Sequence, residues 1–434
     1  MSNEKIDAST TQTSPWFWVP STYFIEGLPG IMIMFVTTIM YKNFGIKNSE
    51  ITLYVGMLTL PWVIKPLWAS LIDIFMTKRW WIYFMDFLMA AGFVAMAFSL
   101  TAPMFFKLSL AVSWVIAFMS SSHDIATDGF YIMELKPSQQ SFFVGIQGAA
   151  YNIGKIFATG LIVMLSGYLF SLTGSYHTAW FWSMIVVAIV ILCIGIYHKF
   201  ILPDNESKHS TKTLKIVFTE FVDVYIAFIK LKRLWQSLLF LFCYQIGETL
   251  LWSILPLFML DTIADGGLGL TDEFTGFAYG VVAPLAIIIG GFIGGYAIFR
   301  KGFMAWIWWM LIIKNVPHIL YFLLAKYQPS SSLIILSSIA VEQFAFSFGY
   351  SGYAIFIFYV VKDSCYKTAH YAFFAGIMML GVMIPKMYSG TLQEWLGYEY
   401  FFLSILLFII PTAIVILLLK VNPPDYGKTK AKAQ

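Results

Sequence analysis

The sequence predicts an all-α integral membrane protein in which twelve transmembrane helices form two pseudo-symmetric six-helix bundles. The first observation is composition: the 434 residues are 59% hydrophobic and 12% charged, with a mean hydropathy of +0.77, beyond the range of soluble globular domains. The second is that the apolar runs are continuous over about 20 residues and do not alternate, which indicates helices and not a barrel. The third is that a polar stretch divides the runs into six and six.

The runs define five segments. A polar N-terminal tail, 1–15, precedes a first bundle, 16–199, and a polar linker, 200–232, separates it from a second bundle, 233–421, and a tail, 422–434. The first run is too long for a signal peptide. The first six runs are at about 16–42, 50–75, 80–101, 107–135, 141–170 and 178–199. The second six are at about 233–260, 272–299, 303–325, 332–361, 371–394 and 399–421.

The positions of the 27 lysines and arginines predict the orientation. Most lie in the tails, the linker and the loops on the side of the termini, and four lie in loops on the other side: Lys42, Lys47, Lys107 and Lys326. Because basic loops stay in the cytoplasm, both termini are expected there. Four more lysines fall inside predicted helices: Lys65, Lys155, Lys314 and Lys386.

An internal repeat relates the two bundles. The stretches at 141–155 (SFFVGIQGAAYNIGK) and 372–386 (AFFAGIMMLGVMIPK) share Phe-Phe, Gly-Ile, a later Ile and the final Lys. Glu26 precedes Glu50 by 24 residues, and Glu248 precedes Glu273 by 25. Two bundles duplicated in the same orientation, with a solute site between them near mid-membrane, resemble the major facilitator arrangement.

The fourth run carries acids at membrane depth. Asp124 and Asp128 are four residues apart and share a helix face with Ser121 and Tyr131. A charge at this depth costs roughly 3 kcal/mol on insertion scales, so such residues serve a purpose. We expect Asp124, Asp128 or Glu26 to bind a coupling proton. The alternative is a fixed ion pair between Asp124 and Lys155 that only holds helices together.

Lys155 lies on a polar stripe of the fifth run. Gln147, Tyr151 and Asn152 flank it at helical spacing, and such a stripe faces water or ligand. Together with Lys386 at the equivalent position of the eleventh run, Lys155 favours an anionic solute. The alternative is that Lys386 pairs with Glu248 and Lys155 with Asp124, which would leave no positive surplus.

Glu26 and Glu248 fall at similar depth in the first and seventh runs. Around Glu248, the residues Tyr244, Gln245 and Trp252 offer aromatic rings and hydrogen-bonding groups suited to a sugar. We therefore predict both glutamates and these three residues as solute contacts, although aromatic side chains also belong to membrane interfaces.

Helix nine carries Lys314 and His318, which we interpret as structural. Glu342 in the tenth run should lie at matching depth. An ion pair between Lys314 and Glu342 would neutralise both.

The stretch after the second run predicts a gate. Asp73 ends the helix, where the helix dipole disfavours an acid without a partner, and Lys78 and Arg79 follow in a tight loop. This pattern resembles the gating motif between helices 2 and 3 of major facilitator transporters, in which an acid and basic residues latch the halves on the cytoplasmic side.

A narrower resemblance combines two motifs. One is HDIATDGF, in which Asp124 and Asp128 match the Q-D-I-A-x-D of the AmpG muropeptide permeases and the related acetyl-CoA transporters, with His123 in place of the usual Gln. The other, in the second run, comprises Leu60, Pro61, Lys65, Trp68 and Asp73. The resemblance implies proton-driven import of peptidoglycan-derived amino-sugar fragments in bacteria. His123 points about 100° away from the acids, so we expect it to pack and not to carry protons.

Several classes are excluded. Phosphate-binding glycine loops, metal-ligand spacings and nucleophile motifs are missing, so we expect no enzyme, no catalytic residue, no cofactor and no metal site. The three cysteines have no paired spacing, and nothing suggests nucleic-acid binding.

The sequence thus predicts a monomeric proton symporter of the bacterial inner membrane. Its expected partners are protons, the lipid bilayer and a small anionic sugar derivative, either a muropeptide-like fragment or a uronic-acid disaccharide. The alternatives are an exporter of drugs or metabolites by proton antiport, and a membrane sensor, for which the linker and tail are short.

Overall fold

A computed structural model of the chain describes residues 13–204, 214–362, 364, 366–419 and 428, which form helices joined by loops, with no strand among them. The first half contains α1 (Pro15–Asn43), α2 in three pieces (Asn48–Met57, Leu60–Ile64 and Pro66–Phe75), α3 (Lys78–Ser99), α4 (Phe105–Glu134), α5 (Pro137–Ile156, Phe157–Ile162 and Val163–Thr173) and α6 (Tyr176–Ile201). The second contains α7 (Leu234–Leu260), α8 (Asp272–Lys301), α9 (Phe303–Tyr327), α10 (Ser332–Val361), and then α11 and α12, which share Lys367–Ile405 and end with Ile409–Leu418.

Ten helices of the described chain are long and apolar enough to span a bilayer. The prediction of twelve runs differs from this count for two reasons. The second run, at 50–75, is broken into short pieces, and the last two runs join in one stretch that turns at Gly397. Gly397 has φ 71°, a left-handed conformation that glycine adopts without a steric penalty, so it separates α11 from α12. The predicted all-α membrane fold is confirmed.

α2 is broken because of its prolines. Pro61 and Pro66 stand near the starts of the second and third pieces, where a missing backbone N–H is tolerated. Lys65 joins these two pieces. The breaks let Trp62 and Lys65 reach Asp124 of α4 from a helix that otherwise packs against α11.

The predicted linker contains a helix of its own, Leu214–Ile229. Phe228 near its end packs against Phe374 and His370 at the start of α11, with ring centroids 5.0 and 5.5 Å apart. The linker helix therefore docks onto the second half.

The buried apolar residues form three cores, and they differ between the two ends of the bundle. We call the face with both chain ends the terminal face and the opposite one the distal face. The largest core joins helices of both halves from mid-bundle to the distal face. The other two lie toward the terminal face, one within the first half and one within the second. The halves therefore pack together distally and separate terminally.

Glycines of α5 and α8 show the same divergence. A Cβ on Gly280 would collide with the backbone of Gly160, so the two helices touch there. A Cβ on Gly148, Gly145 or Gly295, nearer the terminal face, would meet nothing within 4 Å. Open space therefore lies beside α5 and α8 toward the terminal face, and we call it the chamber.

Candidate solute and proton site

An acid of α4 meets a lysine and a tryptophan of α2 beside the chamber. Lys65 Nζ lies 4.0 Å from Asp124 Oδ2, and Trp62 Nε1 donates a hydrogen bond to the same oxygen at 2.7 Å. The Lys65 side chain is 30% exposed and that of Asp124 is 8% exposed. The acid is therefore partnered through Oδ2, whereas its other oxygen, Oδ1, is buried and has no hydrogen-bond partner among the described atoms.

Two further carboxyl groups surround this pair. Tyr23 OH on α1 donates to Asp128 Oδ1 at 3.2 Å. Glu26, three residues further along α1, lies close enough to Asp124, Asp128 and Lys65 for their charges to interact. One oxygen of Glu26 is buried and has no hydrogen-bond partner among the described atoms. Three carboxyl groups therefore share one lysine.

The pairing of Asp124 with Lys155, which the sequence allowed, is not formed. Asp124 faces Lys65 instead, because the broken α2 reaches between α1 and α4. Lys155 Nζ lies 5.9 Å from the centre of the Tyr151 ring, and within the described part of the chain it has no ion pair. Lys155 is half-buried on the stretch of α5 where the helix diverges from α8.

The polar stripe beside Lys155 is partly exposed. Gln147 and Tyr151 are half-buried and Asn152 is exposed, with its Nδ2 bonded to Gly148 O of the same helix at 2.8 Å. α5 can approach α1 here because Gly27 and Gly154 leave room for the facing backbones. Tyr151 is thereby brought near Glu26.

The alternative pairing of Lys386 with Glu248 is also wrong. Lys386 is buried, and its ammonium donates to the carbonyl of Met34 in α1, across the boundary between the halves. Met34 lies in a π-helical turn, Met32–Val36, a feature frequent at functional sites. Among the described residues Lys386 has no acidic partner.

Glu248 pairs with helix α9 instead. Lys314 Nζ lies 3.5 Å and His318 Nε2 3.4 Å from Glu248 Oε2. The predicted pair of Lys314 with Glu342 is replaced by this contact, and Glu342 Oε2 accepts from Tyr321 OH at 3.2 Å and from the neighbouring Gln343. These groups are sealed within the second half.

The aromatic solute contacts predicted on α7 separate into two groups. Tyr244 is 3% exposed, and its OH donates to Gly349 O at 2.9 Å. Glu248 is also 3% exposed, so neither residue faces the chamber. Gln245 and Trp252 are half-buried, and the Trp252 ring lies 5.7 Å from Phe35 of α1.

Sequence reasoning missed a buried cluster behind α4. Asp86 on α3 has one oxygen 2.6 Å from His198 Nδ1 and the other 3.2 Å from His123 Nε2. His123 is thus packed away from the chamber, as predicted. The signal for this cluster was Asp86, an acid inside the third apolar run. The signal for Lys65 was its position between two prolines.

The predicted gate is only partly described. Arg79 Nη1 lies 2.8 Å from Asp204, and its Nη2 donates to Lys199 O at 2.9 Å, so it ties the start of α3 to the end of α6. Lys78 lies against Gly129 of α4. The side chain of Asp73 lies outside the described residues, so the latch stays a prediction.

Polar side chains join the halves at the distal face. Asn48, at the start of α2, donates to Gln393 at 2.8 Å, to Tyr398 at 2.9 Å and to Asp261 at 3.2 Å. Asp261 also pairs with Lys42.

A second set of contacts joins the halves at the start of α8. There Asp272 accepts hydrogen bonds from Asn43 at 2.6 Å and from Ser166 at 3.2 Å, both in the first half. The chamber is closed at this end.

Comparisons with known proteins agree with this architecture. A sequence model described as Major Facilitator Superfamily matches residues 21–382. A putative transporter AmpG 4 of Rickettsia conorii is 25% identical over 418 residues, covering 92% of this chain and 95% of the relative. The anhydromuropeptide permease of Escherichia coli K12 is 23% identical over 409 residues, covering 91% of this chain and 77% of the relative.

Solved structures share the fold at low identity. A bacterial homologue of the human lysosomal transporter Spinster, in an inward-facing and occupied conformation, has a TM-score of 0.69 at 13% identity, covering 94% of this chain and 96% of that one. A D-xylose–proton symporter has a TM-score of 0.66 at 12% identity, covering 96% and 99%. The resemblance to AmpG-type transporters predicted from the motifs is confirmed by the family match and the named relatives, whereas these structures show the fold alone.

Proposed function

We propose that this chain, which belongs to the Major Facilitator Superfamily, imports an anionic amino-sugar or uronic-acid fragment together with protons. Membership makes it a membrane transporter of small solutes and not an enzyme. The finer proposal concerns the solute's charge, its sugar character and the coupling ion.

The observation that carries the proposal is the state of Lys155. It has no ion pair among the described residues, although it sits within the membrane span Phe142–Thr173. An ammonium that is half-buried at membrane depth without a counter-ion is costly, which favours an anion from outside the protein as its partner. Lys386 also lacks an acidic partner within the described chain and lies at the equivalent position of the repeat. A solute carboxylate or phosphate near α5 would therefore complete the site.

Sugar recognition rests on the groups around Lys155. Gln147, Tyr151 and Asn152 supply hydrogen-bonding groups, and Trp252 with Gln245 supplies a ring and an amide from the second half. The relatives named AmpG and anhydromuropeptide permease support an amino-sugar fragment. We exclude Tyr244 and Glu248 from the proposed site because both side chains are buried.

Proton coupling rests on the three carboxyl groups around Lys65. If Glu26, Asp124 and Asp128 were all ionised, the cluster would carry two uncompensated negative charges in a partly dry site, so we propose that it takes up protons. Tyr23 would hold Asp128 in place for this role.

We propose that the terminal face is cytoplasmic, in the inner membrane of a bacterium, and that the chain acts as a monomer. The distal contacts then close the outer side, and the halves rock about the chamber to expose it alternately. Asp73 with Lys78 or Arg79 would close the inner side in the opposite state.

The test is uptake into proteoliposomes with an imposed pH gradient. We expect accumulation of a GlcNAc–anhydroMurNAc fragment or an unsaturated uronic-acid disaccharide when the outside is acidic, and competition by the acidic but not by the neutral sugars. Uptake that ignores the gradient would reject proton coupling. Efflux driven by an acidic exterior would instead support the antiport exporter.

A further inference from the structure

A second polar cluster lies in the closed interior of the C-terminal half, outside the proposed solute site. Glu248 on α7, His318 on α9 and Glu342 on α10 each bring one ligand-type atom within 4.8 Å of the others. Their exposed fractions are 3%, 0% and 0%. Bulk water therefore cannot solvate charges at this place.

The charges of the cluster do not balance when every acid is ionised. Lys314, itself 0% exposed, offsets one carboxylate through its contact of 3.5 Å with Glu248. Glu342 Oε2 accepts hydrogen bonds from Tyr321 at 3.2 Å and Gln343 at 2.7 Å, which are neutral donors. Two carboxylates and one ammonium leave one negative charge in a dry site, and a buried carboxyl group in this position takes up a proton instead.

Two carboxyl oxygens without hydrogen-bond partners in the described structure mark where that proton would lie. Glu248 Oε1 and Glu342 Oε1 are both buried and have no hydrogen-bond partner among the described atoms. Two carboxyl groups this close cannot both stay ionised, and sharing one proton removes the repulsion. The other groups that face the pair are Tyr279 from α8 and His318 and Tyr321 from α9. None of them supplies a second positive charge when His318 is neutral.

We propose that Glu248 and Glu342 bind one proton between them and form a carboxyl–carboxylate pair that joins α7 to α10. The pair is a proton site separate from Glu26, Asp124 and Asp128, and it stands whether or not the proposed solute is right. The bound proton adds one positive charge to the one that the Lys314 ammonium already carries.

The first test is infrared spectroscopy of the purified full-length protein at neutral pH. A protonated carboxyl group has a C=O stretching band that an ionised one lacks. Glu342→Gln should remove one such band that shifts in D₂O, whereas Glu50→Gln, at an exposed carboxylate, should remove none. An unchanged carboxyl band in Glu342→Gln would overturn the proposal.

The second test is thermal unfolding of two variants that differ in the charge they leave behind. Glu342→Gln keeps the neutral state and should unfold within experimental error of the wild type. Glu248→Gln leaves Lys314 without its carboxylate and should lower Tm on the order of 5 °C. An equal loss in both variants would show that Glu342 is needed as an anion, against the proposal.

Measuring Tm in two different salts distinguishes a bound proton from a bound metal cation. We expect the same Tm in sodium chloride and in choline chloride for the wild type. A rise specific to sodium that disappears in Glu342→Gln would identify Na⁺ as the bound charge and overturn the assignment of a proton.

Discussion

Lys155 is the residue on which recognition of an anion depends most. Lys155→Ala removes a charged donor without leaving a carboxylate unpaired, because the described structure gives it no acidic partner. A hydrogen bond to a charged group contributes about 1.5–3 kcal/mol, so we expect KM for the acidic sugar to rise by about 10- to 100-fold. Initial uptake rates over a range of sugar concentrations measure it.

The matched control is Lys107→Ala, which removes an exposed lysine at the start of α4. KM and protein yield should stay at wild-type values. If Lys155→Ala lowered yield as much as uptake, the lysine would have a structural role and the anion site would lose its main support.

Asp128 is the residue at which coupling can be separated from binding. Asp128→Asn keeps an acceptor for the Tyr23 hydroxyl, whose bond to Asp128 is 3.2 Å long, but cannot exchange a proton. We expect exchange of labelled for unlabelled solute to continue near the wild-type rate while accumulation against a gradient is lost. Intact accumulation would remove Asp128 from the coupling role.

Which charges pair could not be predicted from sequence alone. The sequence showed that Asp124, Lys155, Glu248 and Lys386 lie at membrane depth, but their pairing depends on helix rotation and on breaks a few residues long. The break in α2 directs Lys65 to Asp124, and α9 approaches α7 closely enough for Lys314 to reach Glu248. Depth follows from position along a run, whereas partners require three-dimensional packing.

At the scale of helices, the crossing of α5 and α8 controls how the halves meet. Gly160→Ala would add a Cβ 2.8 Å from the Cα of Gly280, so the helices must move apart. Gly148→Ala, on the same helix, would meet nothing within 4 Å. We expect Gly160→Ala to lower Tm, and Gly148→Ala to keep or raise it, because alanine favours helices over glycine by about 1 kcal/mol.

Thermal unfolding of both variants in one detergent measures this difference, and the second variant controls for the change of residue type. Equal Tm values would mean that the glycine contact between α5 and α8 does not contribute to the stability of this state.

The helices themselves were largely predictable. Long apolar runs fixed most spans within a few residues, because the bilayer sets their length and backbone groups in lipid must bond within the helix. The breaks were less visible. Pro61 and Pro66 can stand inside or between helices, and Gly397 permits a turn that the run pattern places only approximately. The linker helix was missed because its flanks are polar.

At the scale of the whole molecule, the two halves meet at the distal face and separate toward the terminal face. A single core unites the halves distally, while each half has its own core near the terminal face. The two-bundle organisation was predictable, because the sequence contains duplicated motifs and a polar stretch between two sets of six apolar runs. The closed end was not, because contacts such as Asn43 with Asp272 join residues more than 200 positions apart.

Closure of the distal face should depend on Asn48, whose amide contacts three partners in the second half. Each neutral hydrogen bond contributes about 0.5–1.5 kcal/mol, so Asn48→Ala should shift the balance toward a distally open state by roughly 10-fold or more. Spin labels at Leu172 and Leu333, exposed on opposite halves, would report a longer distance in part of the molecules. Thr101→Ala, which loses a bond to Phe98 within one half, controls for surface change. A single unchanged distance in Asn48→Ala would mean that apolar packing alone, through residues such as Phe35, holds the distal end shut.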